Sequence, residues 1–90
     1  MTTDTPELAR TRAALDAAEK DHSTALAQEE HAKDQHAEAR EQYGAAPNDA
    51  NGSAVREADH ALSLAKVRSS ATLARVERAR ADHQGAEEAQ

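Results

Sequence analysis

The chain reads as an all-α protein, an antiparallel two-helix coiled-coil hairpin with an alanine-rich seam that pairs into a four-helix bundle. Three observations predict this. Two long stretches rich in Ala, Glu, Gln, Arg and Lys, all strong helix formers, run almost end to end. The only cluster of breakers lies between them, from Tyr43 to Gly52, and contains Pro47 and two of the three glycines. Small and apolar residues recur every seven positions in both halves.

The first helix is predicted over residues 6–43. Thr5 suits the N-cap, Pro6 the first helical position where its missing N–H has no consequence, and Glu7 the positive end of the helix dipole. Gly44 is expected to end it. A turn over 44–52 follows, and the second helix is expected over 53–84 with Ser53 as N-cap, although Asn48 or Asp49 could start it earlier. Gly85 reads as the stop, leaving 85–90 as a frayed tail and 1–90 as a single helical-hairpin domain.

Setting Leu8 and Leu15 at heptad position a places His22, Glu29, His36 and Tyr43 there as well, with Thr11, Ala18, Ala25, Ala32 and Ala39 at d. In the second helix Val55, Leu62, Ser69, Val76 and His83 fall at a, and Ala58, Ala65, Thr72, Ala79 and Ala86 at d. Small d residues let two backbones approach closely.

Charge supports an antiparallel fold. Residues 16–41 carry eight acids and three bases, whereas residues 66–80 carry five bases and one acid. Folding the chain so that paired residue numbers total about 96 to 99 aligns Arg12 with Glu87, Glu19 with Arg80, Asp21 with Arg75, Arg40 with Asp59 and Leu26 with Leu73. Lys33 against Lys66 is the one unfavourable pair, which Glu29 or Glu30 can relieve.

Composition narrows the function classes. With 38% hydrophobic residues, most of them alanine, and Tyr43 as the only aromatic, a lone hairpin has little to bury. Self-association or a partner is therefore expected. The absence of cysteine removes disulfides and thiolate ligands. Residues 1–7 show no basic, apolar leader pattern and no stretch is long enough to span a membrane, so a cytoplasmic location with no membrane contact is expected. A net charge of −6 argues against direct nucleic-acid binding, and the basic run Lys66, Arg68, Arg75, Arg78 and Arg80 has no aromatic interleaved for stacking.

No catalytic constellation is present, so the chain is expected to be no enzyme. The serines lack a nucleophile-elbow context, and a two-helix hairpin is expected to offer no pocket. Five histidines raise a metal-binding bundle as one alternative, with His31, Asp34, Gln35 and His36 the best cluster, but no Glu-x-x-His pair recurs on both helices. Cofactor and metal sites are expected to be absent. His22, His36 and His83 lie on the inward row. If they are buried against apolar walls, protonation below roughly pH 6 to 6.5 would loosen the assembly.

The second helix carries a further apolar stripe opposite its inward rows. Leu64, Val67, Ala71 and Ala74, with Arg78 continuing the row, are the expected partner-binding residues, because a helix apolar nearly all round is covered on both sides. The leading function is thus a non-enzymatic protein–protein interaction module that forms a homodimer and binds a further protein. A different class stays open: the acidic face of the first helix (Asp16, Glu30, Asp34, Glu38, Glu41) suits a small inhibitor that occludes a basic surface of a nucleic-acid-handling target.

Overall fold

The computed structural model describes residues 5–89 and consists of two helices, α1 (Pro6–Ala45) and α2 (Asp49–Glu88), joined by three residues. They lie side by side as a hairpin about 68 Å long, 17 Å wide and 13 Å deep. Cross-helix contacts fix the direction: Thr11 meets His83, His22 meets Thr72, Gln28 meets Arg68, and His36 meets Asp59. The helices are antiparallel, and the residue numbers of these pairs total 94 to 96.

Burial follows the sequence period. The least exposed residues of α1 are Leu8, Ala25, Ala32 and Ala39, and those of α2 are Ala65, Ser69, Thr72, Val76 and Ala86. All lie on the two rows that repeat every seven residues. Tyr43 departs from this pattern: it sits on the same row but is 43% exposed, because Gly52, which stands across from it, has no side chain to cover the ring.

α1 starts as expected, with the Thr5 hydroxyl oxygen accepting from the Leu8 N–H at 3.2 Å, and α2 starts at the earlier of the two expected places; the other helix ends differ from expectation. α1 runs through Gly44 to Ala45, the connection is 46–48 rather than 44–52, and α2 starts at Asp49 rather than Ser53. The physical cause is asparagine chemistry. The Asn48 side chain accepts from the Asn51 backbone N–H at 2.8 Å, which caps α2 one residue after Pro47. Asn51 in turn donates its side-chain amide to the Ala46 carbonyl at 2.8 Å and to the Gln42 carbonyl at 3.4 Å. These bonds, with the Ala46 N–H to the Gln42 carbonyl at 2.9 Å, satisfy the end of α1 without a left-handed glycine.

α2 likewise passes through Gly85 and stops at Glu88; Gln90 lies outside the described residues. No glycine among the described residues has a positive φ. Ala86, 4% exposed, lies beside the start of α1, and helical structure continues past Gly85 to Glu88. Glycine in a helix therefore only weakens it here. A Cβ added at Gly44 or Gly85 meets nothing within 4 Å. Gly44→Ala and Gly85→Ala should each raise the free energy of unfolding by about 0.5 kcal/mol, measured by urea denaturation.

Candidate functional site

Two features have the character of a site: the polar contacts that cross between the helices, and the outer face of α2. The contacts come first because they fix what faces outward. Thr72 Oγ1 lies 3.0 Å from the Ser69 carbonyl oxygen and 2.9 Å from His22 Nδ1. Thr11 Oγ1 lies 3.2 Å from the Leu8 carbonyl oxygen and 2.9 Å from His83 Nδ1. His83 Nε2 faces Glu87 at 3.4 Å, and His36 Nε2 faces Asp59 at 3.6 Å.

His36 and His83 therefore lie beside carboxylates, whereas His22 meets the Thr72 hydroxyl.

Glu29 is the acid-sensitive group. It accepts from the Ser69 hydroxyl and pairs with Lys33 Nζ at 3.2 Å. The Ser69 hydrogen bond first, then Lys33 and Lys66, hold its carboxyl below the ordinary glutamate value of 4.5. A carboxylate with a depressed folded pKa contributes stability that is present above its unfolded pKa and lost as pH falls through the folded value. The hairpin should therefore lose stability on acidification below about pH 4.5, and Ser69→Ala should shrink that loss; chemical denaturation at pH 6 and pH 3 compares the two chains.

The charge pairs expected from register are only partly realised. Lys33 turns to Glu29, as expected for relief of its clash with Lys66, and Asp59 is taken by His36 rather than Arg40. Among the described residues Glu19 with Arg80 and Asp21 with Arg75 do not close to ion pairs. Leu26 and Leu73, aligned by register, are both left well exposed. Exposed pairs are worth well under ~1 kcal/mol, too little to hold long side chains in one geometry.

The expected partner-binding residues Leu64, Val67, Ala71, Ala74 and Arg78 are all exposed, along one face of α2. Leu64 is 52% and Val67 68% exposed, the largest values among the bulky apolar side chains of the described residues. On the rows facing away from α1 between His60 and Ala81, only Glu77 and Arg78 carry formal charge. The outer rows of α1 carry Asp16, Lys20, Glu30, Asp34, Glu38 and Glu41 instead. The two backs of the hairpin are chemically unlike.

The cluster His31, Asp34, Gln35 and His36 is not assembled. His31 is exposed, whereas His36 turns inward to Asp59. Among the described residues no three His, Asp or Glu side chains converge on a point where a metal ion could sit, and no helix is long and apolar enough to cross a membrane.

One feature is absent from the sequence expectation of a pocketless hairpin. At the turn end, an open cleft of about 460 Å3 is lined by His36, Arg40, Tyr43, Gly44, Val55, Arg56 and Asp59. Comparisons with protein-family models, with curated proteins and with solved structures find no match to this chain.

Proposed function

We propose that the chain is a non-enzymatic protein–protein interaction module whose first partner is a second copy of itself. Two hairpins, each closed across an alanine-rich seam, pack through the outer faces of α2 into a four-helix bundle. The exposure of Leu64 and Val67 carries this reading. Bulky apolar residues on a face nearly free of charge, in a chain with so little else to bury, favour a cover.

A two-fold contact is self-complementary here. With the axis beside Ala71, Leu64 of one copy lies against the aliphatic stem of Arg78 of the other, and Val67 against Ala74. The acidic back of α1 stays in solvent in that arrangement and keeps the dimer from growing further. A cytoplasmic location and binding of a further protein belong to the same proposal. Sedimentation equilibrium tests it, since it reads mass independently of the rod-like shape. The expected mass is twice the 9.6 kDa of the chain, and a single-chain mass at tens of micromolar would remove the proposal.

A further inference from the structure

The cleft at the turn end differs from the other grooves of the hairpin in three respects. It holds the only aromatic ring of the chain, that of Tyr43. The ring is close to a guanidinium: a Cβ built on Gly52 would stand 3.4 Å from Tyr43 Cε2 and 3.8 Å from Arg56 Nη1, so ring and cation converge over a position where no side chain intervenes. Finally, its two arginines outnumber its one carboxylate, Asp59, and neither Arg40 nor Arg56 has an ion-pair or hydrogen-bond partner among the described residues.

Charge and shape then specify a ligand class. The protein carries a net charge of −6, yet in the lining of this concavity two arginines outnumber the one carboxylate, Asp59. Guanidinium groups bind carboxylate and phosphate through paired N–H donors. Tyr43, Gly44 and Val55 supply an apolar wall on which a flat ring can stack, and the cleft volume lies in the range of small-ligand sites.

We propose that the cleft binds an anion carried on an aromatic ring, an aryl phosphate or aryl carboxylate. Arg40 and Arg56 hold the anionic head from opposite helices, and Tyr43 stacks on the ring. The site shares no residue with the outer face of α2, so it stands or falls independently of the dimer.

Titration with phenyl phosphate at low salt, followed by NMR of the Tyr43 ring protons and the arginine Nε–H groups, tests this. The expected result is saturable shifts confined to Tyr43, Arg40 and Arg56. Affinity should fall at least tenfold in Arg40→Gln with Arg56→Gln and remain unchanged in Arg80→Gln, all with equal helicity by circular dichroism. Inorganic phosphate should bind at least tenfold more weakly, because it lacks the ring. A second arm uses phosphotyrosine within a glycine–serine peptide: tighter binding than phenyl phosphate assigns the group to a polypeptide, weaker binding to a free small molecule, and either supports the site. Shifts that fail to saturate, or that weaken equally in Arg80→Gln, would reduce the effect to general charge screening and overturn the proposal.

Discussion

Leu64→Glu combined with Val67→Glu is expected to convert the proposed dimer to single chains. Burying a leucine and a valine stabilises by about 1.5–3 kcal/mol each. Losing both from one copy alone weakens association by roughly a hundredfold to ten-thousandfold, at 1.4 kcal/mol per factor of ten. Placing glutamates near the two-fold axis adds like-charge repulsion. The measurement is mass by sedimentation equilibrium across a concentration series. Glutamates at Ala27 and Ala37, exposed on the opposite back of the hairpin, are the control and should leave the mass unchanged. A double variant that still sediments as the parent does would mean that this face is not the contact.

Ala25→Leu is expected to destabilise the hairpin although it adds apolar surface and leucine is a good helix former. Ala25 is 2% exposed. A larger side chain there has to push the rods apart or leave its preferred rotamer, which costs about 1–3 kcal/mol. Ala27→Leu, two residues along and exposed, should be neutral within about 0.5 kcal/mol. Urea denaturation of the two variants gives the contrast. Equal stability of both would show that α1 and α2 do not approach closely at Ala25.

The interior of the fold was legible in the sequence because helical period alone decides which side chains face inward. Leu8, Ala25, Ala32 and Ala39, and Ala65, Ser69, Thr72, Val76 and Ala86, all lie on the rows that a seven-residue repeat selects. The Thr5–Pro6 start of α1 was legible too, but the helix ends at the glycines were not. Gly44 and Gly85 resemble helix stops, but a stop needs a left-handed backbone, and here Asn48 and Asn51 meet the capping demand at the turn while helical structure continues past Gly85 at the far end.

Charge was a poorer guide still. The predicted pairing of Arg40 with Asp59 yields to His36, whose shorter side chain on the inward row reaches the carboxylate. Arg40 is thereby left without the partner that residue pairing assigned to it. The outer face of α2 was readable because it requires only that a 40-residue helix be regular.

The central claim is that each chain folds back on itself and leaves the outer face of α2 for a second copy. Isotope-filtered NMR on a mixture of labelled and unlabelled chains tests it most directly. The account predicts that contacts of the His22 ring with the Thr72 methyl and of the His83 ring with the Thr11 methyl arise within one chain, while Val67-to-Ala74 methyl contacts arise only between chains. Contacts of His22 with Thr72 seen only between chains would mean that the two helices pair through neighbouring copies, and the hairpin would be wrong.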